Sequence, residues 1–382
     1  MQQNKEIEEL LNDRTYYIEY SRYATNHAKH AVIALSGLGA DTEIIKAYLK
    51  AYITKTDLVS ETSKPSLYSI SENNWKDFFG QRTSYSSYFN FFDQQEKELG
   101  REQLLKKYLP ELLPGWAGSL AHATIHLGWG LSVNNRCMKI EGLAYMAFSF
   151  ISCRPECLFA KQSQLLKDES VIKSILRIAE KWESNYDELH NWAENLISDK
   201  SSRAAQKIHP DLDKSLQYRI VRILNEGHPL IYQEPDWIMR QEISLTWEQL
   251  YYAMTIVYLA KPGDFVILHL LTSLYAMEKI ANELTLEYQF FAIKNYWVGM
   301  LCILFSKADF PKRKDLVDLH AIYENSYDTA WENLENTKWS ETIARALKES
   351  EEHNPKLVYL MQNLWKRTGY RTIYRNAAKC YT

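Results

Sequence analysis

The chain has 382 residues, 46% apolar and 24% charged, with a formal net charge of −3. That balance belongs to a globular protein with a sizeable core, and the scattered Lys and Arg exclude a basic nucleic-acid-binding stripe. Thirteen glycines and ten prolines are few for this length, so an all-α protein of long helices is expected.

The N-terminal MQQNKEIEELLNDRTYYIEY is charged and amphipathic. It lacks the apolar centre of a secretory signal, so a cytoplasmic location is expected. AVIALSGLGADTEIIKAYLKAYI (31–53) reads as two helices broken by Gly37 and Gly39, the second capped by Asp41 with Glu43 in its first turn. A Ser/Thr/Pro-rich segment, 56–73, precedes 74–100, where aromatics recur on a helical repeat. Residues 108–131 begin with two prolines, pass through small residues and become helical. EGLAYMAFSFISC (141–153) is nearly all apolar, which marks a central helix, whereas 165–205 suits an outer amphipathic pair.

Pro210, Pro229 and Pro235 fall within 206–250, a candidate junction between two helical lobes of one domain spanning 1–382. Helical patterning resumes at 247, breaks at EEHNPK and ends with KLVYLMQNLWKRTG. The longest apolar run near the middle, FVILHLLTSLYAM (265–277), is too short to span a bilayer. No alternating-run hairpin and no fixed-period repeat is visible. The five cysteines, Cys137, Cys153, Cys157, Cys302 and Cys380, are expected to be buried reduced thiols.

Candidate chemistry lies in the histidines. His27 and His30 stand three apart, and His122 and His126 four apart, so each pair shares a helix face. His269 is bracketed by Ile267, Leu268, Leu270 and Leu271, so it should be buried and in need of partners for both ring nitrogens. His353 precedes Asn354 and Pro355, which read as N-cap and first helical residue. His190, His209, His228 and His320 have polar neighbours and are expected at the solvated surface. A single buried histidine is ordinarily a hydrogen-bonded core residue, and HxxH or HxxxH arises by chance. Recurrence on apolar faces is what argues for a purpose.

If these segments converge, the ligand set is nitrogen-rich, which suits Fe, Zn, Cu or Ni. CxxC, HExxH and the paired ExxH of ferritin-like proteins are all missing; the nearest match, Asp187 to His190, occurs once. No GxGxxG precedes a helix, and neither GxxxxGK[ST] nor GxSxG occurs. Trp116 and Trp129 flank the His122 segment and Tyr145 follows it. Aromatic walls around a metal would suit a flat aromatic substrate.

Four segments together resemble the questin oxidase-like family: NHAKHAVIALSGLGA (26–40), NWKDFFGQRTSYSSYFNFF (74–92), LPELLPGWAGSLAHATIHLGWGL (109–131) and EEHNPKLVYL (351–360). ILHLLTSLYAM (267–277) is similar to a fifth. The resemblance covers almost the whole chain. It implies a helical oxidoreductase that inserts oxygen into aromatic polyketides such as anthraquinones, in Baeyer–Villiger fashion or by dioxygenation. It further implies non-haem Fe(II), held by several histidines and a lysine carboxylated on its side chain.

Carried onto this chain, the implied metal ligands are His30 or His27, His122, His269, His353 and Lys356. His126 is placed behind them or facing substrate. His27, His126 and Tyr145 are the candidates for moving protons or orienting a substrate hydroxyl, with O2 as co-substrate. The alternatives are a metal-free helical binding protein for hydrophobic small molecules, and an oxidase drawing on NADPH or a flavin.

Overall fold

Among the described residues, nineteen α-helices carry most of the regular structure. The computed structural model describes residues 2–20, 23–61, 64–153, 166–198, 216–240, 242–328, 339–349 and 351–380. Helices α1 (Gln2–Asn12), α2 (Ala28–Gly37) and α3 (Thr42–Lys55) form the first layer, and the Asp41 carboxylate accepts the Ile44 N–H at 2.8 Å as the expected cap of α3. Between α1 and α2 lies the only sheet among the described residues, Glu19–Tyr20 antiparallel to Ala24–Thr25. Strands two residues long carry no alternation, so sequence periodicity could not signal this pair.

The aromatic stretch 74–100 becomes a 3-10 turn, Trp75–Phe78, and a helix, α4 (Tyr85–Leu99). Gly100, at φ 76°, separates α4 from α5 (Arg101–Leu112). Two helices make the centre. Every residue of α6 (His122–Ser132) before Ser132 is buried, and the apolar run expected to be central becomes α7 (Arg136–Phe148), buried from Met138 to its end. The expected outer pair is α8 (Val171–Ser184) and α9 (Tyr186–Ser198). After α10 (Leu216–Glu226) come three long helices, α11 (Ile243–Ala260), α12 (Phe265–Ala281) and α13 (Leu286–Phe305), and later α14 (His353–Arg367).

Close backbone approach holds the centre together. A Cβ on Gly128 of α6 would stand 2.3 Å from the Ala276 Cα of α12, and one on Gly142 of α7 would stand 2.6 Å from the Leu127 Cα of α6. One hydrophobic cluster runs from Leu11 to Ala378 and includes Ile220, Ile223, Ile231 and Trp237, on either side of Pro229. Residues 199–215, which hold His209 and Pro210 of the expected lobe junction, lie outside the described residues. No described helix is long and apolar enough to cross a membrane.

Three local expectations change. Helix α14 begins at His353, not Pro355, because the Glu351 carboxylate accepts the N–H groups of His353 (2.8 Å) and Asn354 (3.0 Å) and so caps it. Pro355 still falls in the first turn, where a missing N–H costs nothing. Histidines expected in solvent have protein partners: His190 bonds the Ala308 carbonyl at 3.0 Å, the His228 ring caps Leu230 N at 3.2 Å, and His320 bonds the Tyr252 hydroxyl at 2.8 Å. Cys153 and Cys302 are buried thiols, but Cys137 is half-buried and Cys380 exposed; Cys157 lies outside the described residues.

Candidate metal centre

Four helix starts meet at one point. His27 is the N-cap of α2, His122 and His353 are the first residues of α6 and α14, and His269 lies one turn into α12. One ring nitrogen from each of His27, His122, His269 and His353 lies within 4.8 Å of those of the others, and all four residues are buried. The rings form a closed circuit. Centroid separations are 4.8 Å for His27–His122, 4.6 Å for His122–His269, 4.9 Å for His269–His353 and 4.8 Å for His27–His353.

Hydrogen bonds on the outer nitrogens decide what the inner ones present. His122 Nδ1 lies 2.6 Å from the Ser119 carbonyl, and His269 Nδ1 lies 2.7 Å from the Phe265 carbonyl. A carbonyl only accepts, so both Nδ1 atoms carry the proton and both Nε2 atoms carry a lone pair. Those two Nε2 atoms lie 2.9 Å apart. His353 Nδ1 likewise meets the Glu351 carboxylate, and its buried Nε2 has no hydrogen-bond partner among the described residues. Three lone pairs thus face one another with no proton to share. A cation between them resolves this, and an acceptor behind each imidazole is the usual arrangement around a metal-bound histidine.

The acceptor behind His122 comes from an unusual turn. Ser119, Leu120 and Ala121 all adopt left-handed φ, at 50°, 52° and 63°. Such conformations are costly for residues with a Cβ, and they concentrate where geometry serves a site. Here the turn swings the Ser119 carbonyl back onto the ring three residues on.

Burial keeps the imidazoles neutral. It pushes His27, His30, His269 and His353 well below the ordinary 6.5, and the charge of Lys356 adds to this in each. His122 is lowered to about 3 for the same two reasons. The partial positive charge at converging helix N-termini acts in the same direction. Lys356 is itself fully buried, and desolvation lowers its amine to about 8 against the opposing pull of Glu352 and Glu351. Its Nζ stands 3.1 Å from His27 Nδ1.

A stability profile follows from these shifts. Below the ordinary histidine range the unfolded chain takes up protons that the folded, metal-free chain refuses. The histidines' contribution to stability is therefore full above about pH 6.5 and falls as the pH drops. Urea midpoints of metal-free protein should decline steadily from about pH 7 to pH 5, and a flat profile would contradict the neutral cluster.

The other expected residues stand further out. His30 lies behind His27, with Nδ1 3.4 Å from His27 Nδ1 and Nε2 3.0 Å from His126 Nδ1. His126 Nε2 meets Glu141 at 2.9 Å, and Glu141 meets the Lys29 ammonium at 2.7 and 2.8 Å. The fourth ring of the group is thus His27, with His30 behind it. The Tyr145 hydroxyl donates to Glu19 at 3.0 Å and lies 2.7 Å from Thr25 Oγ1. Glu19 also takes two bonds from Arg82, at 2.7 and 2.6 Å, and one from Ser119 Oγ at 3.1 Å. Ser119 therefore joins this network to His122.

Two features open toward solvent. Phe265, 46% exposed, lays its ring 4.2 Å from that of His269 and 4.9 Å from that of His353, so it shields the group on one side. A cavity of about 330 Å3 is lined by Tyr17, Tyr20, Tyr23, Leu67, Arg82 and Glu19, among others. Tyr20 hydrogen-bonds Tyr52, whose hydroxyl accepts the His27 backbone N–H at 2.9 Å, so the cavity borders the shell around the histidines.

Sequence reasoning missed Glu351, Ser119, Phe265 and Glu141. Glu351 lies within the quoted EEHNPK and was readable as a carboxylate beside His353. Ser119 and Phe265 hold the imidazoles of His122 and His269 through main-chain carbonyls, which any residue supplies, so side-chain patterns carry no trace of that role.

The fold and this centre define a class: an all-α protein with a buried four-histidine group fit for a metal ion. The family model described as questin oxidase-like matches residues 24–361, nearly the whole chain, and the protein belongs to that family. The family's description is that of an oxidase-type enzyme. No curated protein matches the chain.

Proposed function

We propose that the protein is a non-haem Fe(II)-dependent oxygenase that inserts oxygen from O2 into the aromatic or quinone ring of a polyketide-like small molecule. The observation that carries this reading is the 2.9 Å approach of two proton-free nitrogens, His122 Nε2 and His269 Nε2, beside the unpartnered His353 Nε2. An all-nitrogen set suits iron among the metals that imidazole binds, and family membership favours iron over zinc. Bound Fe(II) supplies the one-electron chemistry with O2 that side chains lack.

The proposed ligands are His27, His122, His269 and His353, with His30 supporting His27 from behind. Lys356 is proposed as a further ligand through a carbamate on Nζ. Burial favours the neutral amine that carbamate formation requires. The resulting anion is stabilised where helix N-termini converge. The tyrosine-lined cavity offers a flat ring its binding place. Burial pushes the Tyr145 hydroxyl well above its ordinary value and keeps it protonated, so it can hold the Glu19 carboxyl that orients a substrate hydroxyl. His126 steadies His30. Phe265 limits water access on one side of the group.

Elemental analysis of protein purified from iron-supplemented cells tests this directly. About one iron per chain is expected. A chain without stoichiometric metal that oxidises phenolic or quinone substrates only with added NADPH or flavin would overturn it, as would a metal-free chain that merely binds them.

A further inference from the structure

Three rings of the group have an obvious acceptor on the outer nitrogen: the Ser119 carbonyl, the Phe265 carbonyl and the Glu351 carboxylate. His27 has none. Among the described residues its Nδ1 faces only the Lys356 amine at 3.1 Å and the His30 ring at 3.4 Å. A neutral imidazole protonated on the wrong nitrogen cannot bind a cation, so something has to select its tautomer.

We propose that Glu141 makes this selection at a distance and is a positioning residue for His27. This rests on the metal reading above. The argument is one of parity. Glu141, a carboxylate, only accepts, so the 2.9 Å bond from His126 Nε2 places the proton there. His126 Nδ1 then carries a lone pair and takes the proton of His30 Nε2 across 3.0 Å. His30 Nδ1 is left as the acceptor, and across 3.4 Å it favours the proton on His27 Nδ1. His27 Nε2 is thereby freed for the ion.

Two imidazoles stand between Glu141 and His27, and each hands on the same sense of donation. The chain is anchored because Lys29, only 14% exposed, grips both Glu141 oxygens. Glu141, His126, His30 and His27 are all buried, so water does not offer an alternative acceptor. Glu141 touches none of the four rings directly. Its role is to set which way a relay of hydrogen bonds runs.

The test is a double-mutant cycle on the full chain, using Co(II) as the probe, read by calorimetry and visible absorption. Glu141→Leu with Lys29→Met removes the acceptor without stranding the ammonium. It should weaken Co(II) binding about 10- to 100-fold, the usual cost of losing an outer partner. In a His27→Ala background the same pair should weaken binding less than about twofold, because the ring it orients is gone. Glu141→Gln, which keeps an acceptor oxygen, should restore most of the affinity. Equal weakening in both backgrounds would reveal a merely structural role and overturn the proposal.

Should the double variant not fold, nitrogen-15 NMR of wild-type metal-free protein decides. The proton is expected on Nδ1 of His27 and on Nε2 of His30 and His126; a proton on His27 Nε2 overturns the relay. A wild-type chain that takes up no Co(II) would instead sink the metal reading, while the His27 tautomer would still report on the relay.

Discussion

His269→Ala is expected to leave a folded protein that no longer retains the proposed iron. His269 faces His122 at 2.9 Å through a nitrogen whose tautomer the Phe265 carbonyl fixes, so its loss removes a donor and breaks the ring circuit. Losing an outer hydrogen-bond partner alone costs about 10- to 100-fold in affinity, and losing the ligand should cost more. The helix survives, because Asp264 caps α12 by accepting from Val266 and Ile267 at 2.9 and 3.1 Å, and alanine is the better helix former. In the metal-free state the substitution also relieves the opposition of two lone pairs. Helical circular dichroism should match wild type while elemental analysis shows no iron. Full occupancy in this variant would remove His269 from the ligand set.

Gly128→Ala strikes the same centre through packing. Alanine in place of glycine gains about 1 kcal/mol of helix propensity, which would predict a more stable protein if α6 stood alone. The new methyl, however, would lie 2.3 Å from the Ala276 Cα and 2.5 Å from its carbonyl oxygen. Backbone cannot yield as a flexible side chain does, so α6 and α12 must separate. Overpacking of this kind costs about 1–3 kcal/mol or more, and its sign opposes the propensity gain. His122 rides on α6 and His269 on α12, so separation also pulls the pair apart. The expected result is a lower thermal midpoint together with weaker metal binding. A variant as stable as wild type, with unchanged affinity, would show that the helices have slack.

How much of this was legible beforehand differs by level. Helix content followed from the scarcity of Gly and Pro and from the periodicity of the long segments, and the central place of α7 from its unbroken apolar run. The break at Gly39 was of the same kind, whereas at Gly100 only the observed φ of 76° explains why two helices and not one cross that region. Less regular elements escaped, because a two-residue strand or a three-residue left-handed turn has no period to detect. At the start of α14 the pattern pointed to Asn354. A carboxylate three residues earlier took the cap, since a charged acceptor bonds two first-turn N–H groups more strongly than an amide does.

The amino-acid sequence by itself determined which helices would form and which histidines would lie on apolar faces, since both follow from local pattern and the cost of burying polar groups. Tertiary structure alone decided that His27 and not His30 joins the ring circuit, that Lys356 is buried beside it, and that Glu141 stands at the end of a hydrogen-bonded relay. Those outcomes depend on where helices begin, how closely glycine lets α6 approach α12, and which carbonyl each imidazole meets. Contacts between segments more than a hundred residues apart are set by packing in three dimensions, and no local pattern encodes them.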